Sequence, residues 1–189
     1  MATVGPVEPF PALPYAAAPA AVLVLLFEEH GEARVVLTRR SNRLRSHTGE
    51  VAFPGGRLEP GEAPQVAALR EATEEVGLDA GAVEILGQLA PLATVSSRAG
   101  ITPFVGILPG RPDLEPNPAE VDIVFDVPLA EFLAPDVYRA ELWDRMGAPE
   151  RPVHFFELEE DTVWGATARI LHELLELVTL SGRTVPPEG

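Results

Sequence analysis

The sequence predicts an α/β or α+β sandwich in which helices cover a mixed β-sheet. Three observations carry this: an apolar run from Ala20 to Phe27 that reads as a buried strand, an amphipathic helical stretch from Glu62 to Val76, and a second helical stripe from about Gly165 to Leu180. Further strand-like runs separate the two helices, so the order is strands, helix, strands, helix.

In chain order, residues 1–19 are rich in proline and alanine without amphipathic period and read as an extended arm. The strand Ala20–Phe27, the turn Glu29-His30-Gly31 and a strand at Arg34–Thr38 predict a hairpin. Arg39 to Gly61 reads as loop, broken at Phe53-Pro54-Gly55-Gly56 and again at Pro60-Gly61. The helix over Glu62–Val76 is stopped by Gly77, in the position of a left-handed C-terminal cap. Strands are expected at Ala82–Ala90, Ile101–Leu108, Val121–Val127 and Val153–Leu158. In the last helix Leu171, Leu174, Leu175 and Val178 recur at helical spacing and are expected in the core.

A chain of 189 residues fits a single domain, 1–189, better than two. The longest apolar run, Ala16 to Phe27, contains Pro19 and is too short to span a bilayer, and no basic segment precedes it as in a secretory signal. No membrane association is therefore expected. With no cysteine, the chain has no disulfide or thiolate metal site, and a cytoplasmic location is expected; any metal must be held by carboxylate oxygens or histidine. The net charge of -15 argues against nucleic-acid binding, which needs basic surface. The 14 basic residues are all arginines, and six of them lie between Arg34 and Arg57. A local basic patch in an acidic protein suits an anionic small ligand, or is an Arg-rich solvated loop.

At about 100° per residue, Leu69, Ala72 and Val76 share one face of the first helix, and Glu71, Glu74 and Glu75 share the opposite one. Three neighbouring carboxylates repel one another, and a divalent cation would compensate; magnesium prefers carboxylate and water oxygens together with substrate phosphates. A solvated acidic face, with Arg70 and Glu74 as an i,i+4 pair, is the other reading of the carboxylates taken alone. Their spacing decides between the two. Residues 56–78 read GRLEPGEAPQVAALREATEEVGL, which resembles the Nudix box at every fixed position: Gly56, Glu62, Arg70-Glu71, Glu74-Glu75, Gly77 and Leu78.

The resemblance implies a Nudix-type α/β/α sandwich with a mixed β-sheet and metal-dependent hydrolysis of a nucleoside diphosphate linked to another group. It implies Mg²⁺, with Mn²⁺ as an alternative, on Glu71 and Glu75. Glu74 is then a further metal ligand or the general base, Arg70 orients the catalytic carboxylates, and Glu62 is a structural anion. Because the base in this family also comes from outside the box, Glu120, just before the apolar strand Val121–Val127, is a candidate base or extra ligand; it reads equally as an exposed loop acid.

Upstream, residues 36–56 read VLTRRSNRLRSHTGEVAFPGG, which resembles the motif of the coenzyme A pyrophosphatase subgroup at Leu37, Thr38, Arg40, Ser41, Arg45, Gly49 and Phe53–Gly56. Val36 replaces the motif's first leucine. In that reading Arg40 and Arg45 supply forked hydrogen bonds to the extra phosphate charge of coenzyme A, with Ser41 and His47 as further donors; His47 is otherwise a structural loop residue. Gly55 and Gly56 let backbone approach the metal and phosphates closely. Arg39 and Arg43 read as surface charges.

The expected reaction converts coenzyme A, or an acyl or oxidised derivative, to 3',5'-ADP and a 4'-phosphopantetheine fragment, with a small molecule as the only partner of a monomer or homodimer. The competing readings are a broader pyrophosphatase acting on ADP-ribose, dinucleotides or NADH, and a noncatalytic nucleotide sensor. The histidines His30, His47, His154 and His172 show no metal-ligand spacing, and the serines form no nucleophile elbow. Trp164-Gly165-Ala166-Thr167-Ala168 resembles a stretch near the end of the same subgroup, and core packing of Trp164 accounts for it equally well.

Overall fold

A computed structural model describes residues 18–41, 49–94, 99–145 and 148–181. One sheet contains β1 (Ala18–Glu29), β2 (Glu32–Arg40), β3 (Val51–Ala52), β4 (Gly55–Arg57), β5 (Glu84–Gln88), β6 (Leu92–Ala93), β7 (Ala99–Leu108) and β8 (Val121–Pro128). A second, antiparallel sheet contains β9 (Tyr138–Arg145), β10 (Ala148–Glu157) and β11 (Thr162–Trp164). The helices are α1 (Pro64–Val76) and α2 (Gly165–Ser181).

The large sheet is mixed because β1 pairs in parallel with β7, from Ala18 opposite Ala99 to Phe27 opposite Leu108, while the pairings of β2, β4 and β5 are antiparallel. β1 reads as an unbroken apolar run because both of its faces are covered. Ala21, Leu23, Leu25 and Phe27 pack toward α1 with Ala68, Ala72 and Val76. Val24, with Val22 and Leu26 beside it, packs toward α2 with Val35, Leu37, Leu171 and Leu174. The α/β/α layering thus follows from one strand buried on two sides.

The expected hairpin is present and turns through His30 and Gly31, at φ 54° and 83°. The first helix starts at Pro64 rather than Glu62, since proline fits the first helical position, where no amide hydrogen is needed. Its end is as expected: Gly77 is left-handed at φ 69°, and its N–H donates to Thr73 O at 3.0 Å. The strand expected at Ala82–Ala90 is shorter, because Ala80–Ala82 form a 3₁₀ turn on which the Asp79 side chain accepts the Gly81 N–H. β9 was not expected at all; it forms a hairpin partner for β10.

Of the α2 stripe, Leu171, Leu174 and Leu175 are buried, but Val178 is 47% exposed. The last turn runs beside an open cavity of about 260 Å³, lined by Phe132, Tyr138, Phe156 and Leu175 among others. Trp164 lies outside the core too: it is 39% exposed and stacks on Phe155, while its neighbour Val163 fills the interior. Among the described residues no helix is long and apolar enough to cross a membrane.

Truncating Leu171 to Ala should cost about 2–5 kcal/mol in denaturant unfolding, as for a filled core site, whereas Val178→Ala should stay within about 0.5 kcal/mol. Equal losses at the two positions would contradict this division of the stripe.

Candidate metal and active site

The site forms where α1 crosses the β2 and β4 end of the large sheet. α1 lies so close to β4 that side chains are not tolerated between them. A Cβ on Gly56 would sit 2.5 Å from Glu71 Oε2, and one on Gly55, at φ 151°, would sit 2.6 Å from the Val22 Cα of β1. Gly56 therefore permits the close approach of α1, and Gly55 the close approach of β4 to β1. The Gly55 N–H then donates to Glu75 Oε2 at 3.0 Å.

Glu75 is only 2% exposed, so although the helical wheel groups it with Glu74 it is withdrawn from the solvent that Glu74 faces. Its place is the buried seam between helix and sheet. Ligand oxygens of Glu71, Glu75 and Glu120 all lie within 4.8 Å of one another. Glu74 is outside this group; 54% of its side chain is exposed and it pairs with Arg70 Nη1 at 3.1 Å.

Glu120 reaches the cluster because its loop is stitched to the end of α1. Asn117 N–H donates to Glu75 O at 2.8 Å, Asn117 Nδ2 donates to Glu74 O at 3.3 Å, and Glu115 N–H donates to Val76 O at 3.0 Å. These bonds satisfy carbonyls that a helix end leaves without partners. From the other side, Ser41 N–H donates to Glu120 O at 2.9 Å. Ser41 is itself fully buried and holds the Glu120 loop from the interior through this bond. Asn117 went unnoticed in the sequence; an Asn-Pro just ahead of an acid and an apolar strand was the only available signal.

Arg70 is held at five points: Glu62 Oε1 and Oε2 at 2.8 and 3.0 Å, Glu71 Oε1 at 3.1 Å, Glu74 Oε2 at 3.1 Å and Arg57 O at 3.0 Å. It orients Glu71 from one side while Glu62 fixes it from the other. The Arg70 guanidinium and the Glu59 N–H hold the Glu62 carboxyl below its usual range. Arg40, at the end of β2, places Nη1 3.7 Å from Glu75 Oε1. Arg39 is not a free surface charge, since it forms a two-point ion pair with Asp161 at 2.6 and 2.9 Å. Arg43, Arg45 and His47 lie outside the described residues.

Burial raises the Glu71 carboxyl despite Arg70, with Glu74 and Glu120 adding to the rise. Burial pushes Glu75 up to about 7, against the pull of Gly55 N–H and Arg40 and with the repulsion of Glu71 and Glu120. Three carboxylates this close, one of them buried, repel one another more than Arg70 and the distant Arg40 offset, and hard oxygen donors at this spacing suit a divalent cation. No other group of three or more potential ligands stands this close among the described residues. His154 and His172 do approach to 4.5 Å between ring centroids, but His154 Nδ1 is bonded to Tyr138 OH at 2.9 Å and the pair lies where α2 packs on the second sheet.

Residues 17–146 match the NUDIX domain family. The chain belongs to the Nudix family of hydrolases. Among curated relatives, an uncharacterized Nudix hydrolase, NudL, of Photorhabdus laumondii is 46% identical over 76% of this chain and 76% of its own length. Nudix hydrolase 22, chloroplastic, of Arabidopsis thaliana is 42% identical over 80% of this chain, which spans only 52% of that protein. A Nudix hydrolase from M. smegmatis, RenU, shares the fold at a TM-score of 0.60, with 19% identity and 91% of each chain covered. The Nudix box thus falls where the family needs it, on a loop and helix pinned to a mixed sheet.

The raised Glu75 carboxyl fixes the sign of a pH dependence in the metal-free Nudix protein. The folded state binds its proton more tightly than the unfolded chain, so the stability contributed by protonated Glu75 is complete below the ordinary carboxylate range and is lost as pH rises toward about 7. Metal-free thermal unfolding should therefore show a midpoint that falls between pH 5 and 7.5, and Glu75→Gln should remove part of that fall. Parallel wild-type and variant curves would refute it.

Proposed function

We propose that this Nudix hydrolase cleaves the diphosphate of coenzyme A or its derivatives, giving 3',5'-ADP and 4'-phosphopantetheine or its acyl form. The observation that carries the reading is the position of Arg40: the first arginine of the upstream motif stands beside the carboxylate cluster, where a cation meets the phosphates of a metal-bound diphosphate. Arg45 and His47, from the same motif, are assigned to the remaining phosphate charge, including the 3'-phosphate.

Glu71, Glu75 and Glu120 are the residues that would hold Mg²⁺, or Mn²⁺ in its place. When bound, the ion neutralises phosphate charge and lowers the pKa of water. Glu75 presents its carboxylate rigidly because Gly55 N–H fixes one oxygen, and Glu71 is aimed by Arg70. Glu120, half-buried and carried by a loop rather than by α1, is assigned the proton of the attacking water. Water adds to one phosphorus, the bridging P–O bond breaks, and the bridging oxygen leaves with the other phosphate. Glu74 is exposed and paired with Arg70, and a role as base is the less favoured assignment.

Chromatographic product analysis over coenzyme A, 3'-dephospho-coenzyme A, ADP-ribose and NADH, with and without Mg²⁺, tests the substrate. Coenzyme A should release 3',5'-ADP in a metal-dependent way, with dephospho-coenzyme A markedly poorer; ready cleavage of ADP-ribose without any 3',5'-ADP from coenzyme A would sink the assignment. Glu120→Gln should lower kcat by about 10²–10⁴-fold with the protein still folded. Glu75→Gln should abolish turnover, and an active Glu75→Gln enzyme would count against the metal site.

A further inference from the structure

The two arginines at the carboxylate cluster are held in opposite ways. Arg70 is fixed at five points and is part of the scaffold. Arg40 touches the cluster once, through Glu75 at 3.7 Å, which is an ion pair too long for a hydrogen bond, and its side chain is 30% exposed. Its backbone is clamped: Arg40 N–H donates to Glu50 O at 3.0 Å, and Arg40 O accepts from Gly49 N–H at 3.1 Å. The next residue, Ser41, is bonded through N–H to Glu120 O at 2.9 Å. The root of the side chain is therefore anchored beside the cluster, and among the described residues the guanidinium's ion pair is the long one with Glu75.

We propose that Arg40 is a transferable counter-ion: it holds the Glu75 charge while the cluster has no metal and moves to a substrate phosphate once a divalent ion has taken over that charge. This rests on the metal-site reading above. Three carboxylates whose oxygens lie within 4.8 Å of one another need a positive partner in the metal-free protein, and at the buried member, Glu75, Arg40 is the ion-paired cation among the described residues. The same guanidinium is repelled by an incoming divalent ion and attracted by an incoming diphosphate. Metal and anionic substrate then support each other's binding through Arg40, and by linkage the support is mutual.

The sign that follows is unusual for an active-site residue. Without substrate, Arg40 competes with the metal, so its removal should tighten metal binding while weakening substrate binding. A purely structural role would loosen both.

The test is titration of Mn²⁺ into the substrate-free protein, read by the electron paramagnetic resonance of free Mn²⁺. Arg40→Gln should bind Mn²⁺ roughly three- to tenfold more tightly than wild type, from the loss of one positive charge near the site. Arg40→Lys, which keeps the charge, should stay within about twofold. Arg40→Gln should also raise the KM for the diphosphate substrate. Thermal midpoints give a second reading: the rise on adding Mn²⁺ should be larger in Arg40→Gln than in wild type. Unchanged or weaker Mn²⁺ binding in Arg40→Gln, or an equal thermal rise, overturns the proposal while leaving the metal site standing. Absence of Mn²⁺ binding by wild type removes the metal reading and this inference together.

Discussion

Burial of the Glu75 carboxylate is the constraint from which the rest of the site is built. An ionised group removed from water is costly unless it is paired and hydrogen-bonded, and here Glu75 has one backbone N–H, from Gly55, and one distant cation, Arg40. Two further acids, Glu71 and Glu120, sit against it and raise the cost. Such an arrangement persists only if the surrounding fold over-determines it. The stability that maintains it comes from the apolar seam of Ala67, Ala68, Ala72 and Val76 under β1, which leaves α1 no freedom to turn Glu75 outward.

Close approach is the second requirement, and it explains why small residues and backbone dominate the seam. Glycine at 55 and 56 and alanine at 67, 68 and 72 bring helix and sheet near enough for a main-chain amide to serve as a carboxylate's partner. The polar side is organised differently, around a long side chain. Arg70 gathers Glu62, Glu71 and Glu74, so that a row of acids that would repel one another on an isolated helix becomes a braced network. The 115–121 loop then closes the helix end and delivers Glu120, tying a strand distant in sequence to the same few ångströms.

Much of this was legible before any coordinates. The burial of β1 followed from its apolar run, the end of α1 from Gly77, and the candidacy of Glu71, Glu74 and Glu75 from the spacing of the box. What escaped is equally specific. β3, β4, β6 and β11 are two or three residues long, too short to show a period, and exist because a neighbouring strand is there to pair with. β9 has no clean alternation because its apolar residues point both ways, with Leu142 at 68% and Trp143 at 41% exposed. Val178 keeps the helical period but lies past the point where α2 meets the core.

By itself the sequence determined the family, the helix that carries the acids and the basic run that precedes it, because those depend on residue types at fixed local spacing. Tertiary structure alone decided which acids stand together. Glu74 and Glu75 are adjacent in the chain, yet one faces solvent with Arg70 and the other is buried against Gly55, while Glu120 joins from the loop before β8. Helical periodicity places side chains on a face, but only the packing of that face against β4 and the closing loop sets which of them are withdrawn from water and brought within reach of a common ion.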